Sequence, residues 1–98
     1  MADDNWYVYI IEATDSTYYT GITTDVLRRW QQHSNQQGAK YFRGRLPQQL
    51  LFVEAGHNRS SASQREMAIK KLKRKEKYKL LNSPCNCAGL FQIKLSQA

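Results

Sequence analysis

Along Trp6–Glu12, Trp6, Val8 and Ile10 fall on one side of an extended chain and Tyr7, Tyr9 and Ile11 on the other. The run is rich in aromatic and β-branched side chains and reads as a strand. Thr14, Asp15, Ser16 and Thr17 carry turn chemistry, and Tyr18–Thr23 returns as a second strand, giving an antiparallel hairpin. Gly21, near its end, permits a backbone approach that any side chain would block.

The period then changes. Thr24 is placed to cap a helix over Asp25–Gln36, with Asp25 in the first turn favouring the helix dipole. Val26, Leu27 and Trp30 form its apolar stripe. Arg29 and His33, four residues apart, are neighbours at one margin, and Arg28 falls on the solvated side. Gly38 ends the segment. Residues 39–46 read as a basic loop or short helix, with Lys40, Arg43 and Arg45 beside Tyr41 and Phe42, broken by Pro47. Gln49–Ala55 reads as a third strand. Ser61 and Gln64 match a capping box that opens a long helix with the stripe Ala62, Ala68, Ile69 and Leu72. Glu66 lies at the edge of that stripe. Glu76–Leu81 either prolongs the helix or forms a second one. The order predicts an α/β (α+β) fold, a three-stranded antiparallel sheet flanked by helices. It is one domain over residues 1–98, with its core at about 6–81 and a tail at 82–98.

Composition narrows the function. No apolar run approaches the roughly 18 residues that span a bilayer. The start is acidic and lacks the form of a signal peptide, so a soluble, cytoplasmic protein without a membrane partner is expected. Cys85 and Cys87 cannot complete a zinc site alone, fit no zinc spacing with His33 and His57, and read as ordinary tail cysteines. Fifteen Lys and Arg oppose eight Asp and Glu. The excess is uneven: residues 1–24 hold no Lys or Arg, whereas 59–79 hold nine of them against Glu66 and Glu76. Clustered cations gain free energy by releasing counterions from a phosphate backbone, so the expected partner is a nucleic acid.

One constellation is more specific. Tyr7-Val8-Tyr9 and Tyr19-Thr20-Gly21, with ten positions from Tyr9 to Tyr19, resemble the two signature triplets of the GIY-YIG nuclease superfamily. Arg29, eight residues after Gly21, and Glu66, early in the helix after the third strand, stand where that superfamily places its arginine and its metal-binding glutamate. The cadence is similar to the small single-domain bacterial members, and Tyr19–His33 also resembles the nuclease subunit of junction-cutting endonucleases. The resemblance implies a GIY-YIG-type fold and an endonuclease hydrolysing phosphodiester bonds in DNA, in repair or processing. It implies Mg²⁺ (or Mn²⁺) on Glu66, Arg29 on the scissile phosphate, and Tyr19 taking the proton of the attacking water with Tyr9 beside it. A phenol acts as a base only where cations favour its ionised form, and Arg29 and the metal are the sources of that effect. His33, on the side of Arg29, is a second candidate for base or phosphate contact.

Lys40, Arg43, Arg45, Lys70, Lys71, Lys73 and Arg74 are the expected backbone contacts, and Tyr41 or Phe42 is placed to stack on a base. Asn82 stands where some members carry a polar residue. Tyr7, Val8 and Thr20 replace the usual glycine and two isoleucines, and the bulk of Tyr7 is expected to narrow the cleft. A partner protein would supply specificity, since no recognition module is encoded here. The alternative to an enzyme is a non-catalytic DNA- or RNA-binding module on the same scaffold. A lone carboxylate near a phosphate would serve no purpose there.

Overall fold

A computed structural model describes residues 5–35, 42 and 44–91. The expectations for Gln36–Tyr41 and Arg43 therefore lie outside the described residues. Strands β1 (Trp6–Ala13), β2 (Tyr18–Thr23) and β3 (Pro47–His57) form an antiparallel sheet in the order β2-β1-β3. The central strand is apolar on both faces because both are covered. Val8 and Ile10 pack with Phe52, Ala62 and Ile69 on one side. Tyr9 and Ile11 pack with Val26, Phe42, Leu50 and Val53 on the other. This is the division predicted from alternation. Fully buried Ile10, Phe52 and Ile69 each contribute about 2 kcal/mol of apolar burial.

Helix α1 (Val26–Ser34) covers the Tyr9 face, whereas α2 (Arg59–Lys70) and α3 (Arg74–Leu81) serve the Val8 face. Helix starts are where sequence reading and structure part. Asp25, not Thr24, caps α1: its Oδ1 accepts the Arg28 N–H at 3.1 Å, and the Thr23 hydroxyl accepts the Asp25 N–H. Asn58, not Ser61, caps α2. Ser61 sits at the third helical position and closes a reciprocal box, accepting the Asn58 N–H while Asn58 Oδ1 accepts its own. Two residues assigned to buried stripes point to solvent, Leu27 and Ala68. A break at Lys71–Lys73 separates α3, where Glu76 caps the Lys73 N–H at 3.0 Å.

Two clamps tie the elements together. The β1–β2 turn carries Ser16 at φ 68° and is held by Arg45 on Asp15 (2.9 Å). Arg74 donates to the Ser16 carbonyl at 2.8 Å and stacks 4.2 Å above the ring of Tyr18. Beyond α3, Asn86 donates to the Leu51 and Leu81 carbonyls and accepts from the Val53 and Ala88 N–H groups, fastening the following turn to β3.

Candidate active site

Tyr9 and Gly21 are register partners on β1 and β2. The phenol of Tyr9 lies across the glycine so closely that a Cβ there would meet Tyr9 Oη at 2.6 Å and Tyr19 Cε2 at 3.0 Å. Both rings therefore occupy space that only glycine leaves open. The Tyr9 hydroxyl shares a 2.9 Å hydrogen bond with His33 Nε2, reached from α1. Tyr19 meets the His33 ring edge-on at 5.3 Å and the Tyr9 ring at 6.1 Å. Phe42 closes the nest, 4.4 Å from His33 and 5.1 Å from Tyr19. Tyr9, His33 and Phe42 are almost wholly buried, and Tyr19 is half-buried.

Electrostatics follow from that burial. Desolvation, with a smaller contribution from Tyr19, pushes Tyr9 well above the usual phenol range, and Arg29 offsets only part of this. Tyr9 is a neutral phenol, not a phenolate. His33 is pushed down to about 4, first by burial and then by the charge of Arg29, so its imidazole is neutral at physiological pH. Its Nδ1 has no hydrogen-bond partner among the described residues. A proton on Nδ1 would be an orphaned buried donor, the rarer and costlier arrangement, so we assign it to Nε2. In that tautomer His33 donates to Tyr9 Oη and leaves the phenol hydrogen free to point elsewhere.

Arg29 stands one turn before His33 on α1, half-buried, with Nη1 donating to Gln32 Oε1 at 2.9 Å. It also lines an open cleft of about 270 Å³ together with Trp6, Ile22, Thr23, Arg28 and Gln32. Arg28, read from sequence as merely solvated, thus borders the same cleft. Only its adjacency to Arg29 could have signalled this.

The structure brings together Tyr9, Tyr19, Arg29 and His33. It does not bring Glu66 into contact with them. Glu66 stands on α2, the helix over the opposite face of the sheet, with its side chain 20% exposed and Oε2 paired to Lys70 at 3.2 Å. The link between the two sides is the cleft, since Trp6 and Ile22 line it beside Arg29 and also pack into the core beneath α2. Among the described residues no three His, Cys, Asp or Glu side chains gather as a metal cage.

The other expected contacts divide. Lys71 and Lys73 are exposed, Lys70 pairs with Glu66, and Arg45 and Arg74 hold the hairpin turn. Phe42 packs against His33 and is not available to stack on a base, while Lys40, Tyr41 and Arg43 lie outside the described residues. Asn82 is the exposed C-cap of α3. Tyr7 does not border the cleft described above; its ring meets Phe91 edge-on at 6.4 Å. Cys85 and Cys87 are free thiols. Cys85 donates to Glu54, which also holds His57 (2.7 Å) and Arg65 (3.0 Å), and Cys87 donates to the Val53 carbonyl.

The model of the GIY-YIG catalytic domain matches residues 5–79 of the chain. This protein belongs to the GIY-YIG family. A UPF0213 protein of Photorhabdus laumondii is 42% identical to it over 81 residues, covering 83% of this chain and 78% of that one. One from Halobacterium salinarum is 51% identical over 71 residues, covering 72% and 92%. The solution NMR structure of a UPF0213 protein from Bacillus halodurans superposes with a TM-score of 0.52 at 41% identity, covering 82% of this chain and 85% of that one. In GIY-YIG terms Tyr9 closes the first triplet, and Tyr19 and Gly21 bound the second. The observed contact of Gly21 with both rings is the physical reason for a glycine there.

Proposed function

We propose that this GIY-YIG protein is a divalent-metal-dependent nuclease that hydrolyses phosphodiester bonds in DNA, with a role in repair or processing. The observation that carries the reading is the convergence of Tyr9, Tyr19, Arg29 and His33 around Gly21, at the edge of a cleft lined by a second arginine. A planar guanidinium at Arg29 suits bidentate contact with the scissile phosphate and opposes charge building on its oxygens. Tyr19, the half-buried ring, meets the attacking water and takes its proton as the phenol's own hydrogen passes to solvent. Tyr9, held from behind by His33 Nε2–H, keeps its own hydroxyl hydrogen-bonded beside Tyr19 and Arg29 and so orients both. Its burial makes it a fixed hydrogen-bond donor, so His33 acts through Tyr9 as a positioning residue.

Glu66 would hold a Mg²⁺ or Mn²⁺ ion, which supplies charge neutralisation at the leaving oxygen. The residues present fit such an ion loosely. One carboxylate oxygen has no partner among the described residues, the other is held only by an exposed lysine, and Mg²⁺ is commonly bound through one or two carboxylates with several waters. Binding of the nucleic-acid backbone falls to the exposed cations Lys71, Lys73, Lys75 and Lys79, the last two beside Tyr78.

A second reading is favoured by one observation, the pairing of Glu66 with Lys70 away from the tyrosines. In it the chain is a non-catalytic nucleic-acid-binding module. A cleavage panel of linear, flapped, branched and single-stranded substrates with Mg²⁺ and Mn²⁺ separates the two. Glu66→Ala is expected to abolish metal-dependent cleavage while leaving affinity similar or slightly higher. Equal cutting by wild type and variant refutes the catalytic role of Glu66.

A further inference from the structure

The cleft beside Arg29 has chemistry that phosphate contact alone does not require. Its apolar wall is the half-buried indole of Trp6 with Ile22. The lining also includes Arg28, which is exposed, Gln32, and Thr23, whose hydroxyl is engaged with the Asp25 backbone. Arg59, from the start of α2, sits over the same indole at 5.9 Å, and Arg28 and Arg29 line the cleft with it. The one carboxylate in the lining, Asp25, is engaged in capping α1. Gln32 accepts from Arg29 through its oxygen, which leaves its amide hydrogens free to donate.

A flat apolar wall, an amide donor and a cation are the complement of a nucleobase and its phosphate. At about 270 Å³ the cleft falls below the span of roughly 300–1,000 Å³ that takes drug-sized ligands, which suits one nucleotide and not a base pair. We propose that it is the subsite for the nucleotide next to the scissile phosphate, with Trp6 stacking on its base and Arg28 holding the phosphate on its far side. This rests on Arg29 contacting the scissile phosphate, since Arg29 belongs both to the tyrosine nest and to the cleft wall. A base within a duplex offers its faces only to neighbouring bases. Occupying the subsite therefore demands a nucleotide out of the stack, and discrimination between substrates resides in Trp6 and Arg28.

The test measures binding without divalent metal, so that it stands apart from catalysis. A short single-stranded oligonucleotide is walked with one abasic position at a time against wild type, Trp6→Ala, Trp6→Phe and Arg28→Gln. One abasic position is expected to weaken wild type and Trp6→Phe roughly 5- to 150-fold, the range for loss of one base–aromatic stack, and to leave Trp6→Ala unaffected. Arg28→Gln, a surface change that tests the site should Trp6→Ala fold poorly, is expected to lower the slope of log affinity against log salt by about one. Affinity that ignores every abasic position in wild type, or an unchanged salt slope in Arg28→Gln, overturns the proposal. Cleavage of the intact oligonucleotide by a protein blind to the abasic walk would leave the nuclease reading standing without the subsite. Position-specific loss without any cleavage would do the reverse.

Discussion

Replacing Gly21 with alanine tests whether the tyrosine nest is built on the absence of a side chain. The added Cβ would lie 2.6 Å from Tyr9 Oη, 2.7 Å from Tyr9 Cζ and 3.0 Å from Tyr19 Cε2. Ordinary contact begins near 3.4 Å, so the Tyr9 ring must withdraw by about 0.8 Å and Tyr19 by about 0.4 Å. Tyr9 is 2% exposed and tied to a fully buried His33 at 2.9 Å, which leaves it no free direction of retreat. Overpacking of this kind costs about 1–3 kcal/mol, and a buried hydrogen bond left unmade costs about 1–3 more. Against this, alanine for glycine at a compatible backbone position stabilises by only about 0.4–1 kcal/mol through the unfolded chain. The net expectation is a loss of roughly 2–4 kcal/mol, which for a domain of this size lowers Tm by about 8 °C or more. Misplacing catalytic side chains by close to 1 Å also slows cleavage, by on the order of 10²-fold. Thermal unfolding followed by circular dichroism and single-turnover cleavage read the two effects. Because the unfolded-state contribution has the opposite sign, an unchanged or raised Tm refutes the packing argument.

Two further expectations concern charge. His33 is held down to about 4 in the folded protein, whereas in the unfolded chain it titrates near 6.5. Between those values the unfolded chain binds more protons, so its contribution is complete above pH 6.5 and lost as pH falls toward 4, up to about 3 kcal/mol. Asp15 and Glu54, both held below their ordinary values, respond only at lower pH, near and below 4.5. Denaturant midpoints measured from pH 7.5 to 5 should therefore fall in wild type and stay nearly flat in His33→Gln, and parallel curves would contradict the assignment. Changing the exposed Lys71, Lys73 and Lys75 together to glutamine should lower the salt slope of DNA affinity by about 2–3. An unchanged slope would show that this face is idle.

The sheet was legible in the sequence because its faces are buried by different helices, so alternation in β1 carries through to which side chain meets which core. Helix starts were not, because neighbouring acceptors compete for the same orphan N–H groups. Thr23, Thr24 and Asp25 are all able to cap, and Ser61 takes part in a box whose N-cap is Asn58. At the site, the family resemblance led to the expectation that Tyr9, Tyr19, Arg29 and Glu66 meet. The first three do, with His33, since β1, β2 and α1 are consecutive, whereas Glu66 stands on α2 paired with Lys70. What the resemblance did not foretell is that His33 is sealed behind Tyr9 by Phe42, a residue read as a base-stacking candidate. The cleft role of Arg28 was equally hidden. Helical periodicity marks a residue as exposed but does not say what it faces.

In the proposed reaction, Arg29 and Glu66 act together from the two faces of the sheet. A double-mutant cycle on single-turnover cleavage, with wild type, Arg29→Ala, Glu66→Ala and the pair, decides whether they do. If both act on one phosphate, each single change slows cleavage by about 10²-fold or more and the double variant is scarcely slower than the worse single, because groups acting as a unit are strongly non-additive. Losses that multiply in the pair, or Glu66→Ala cutting at the wild-type rate, would contradict it.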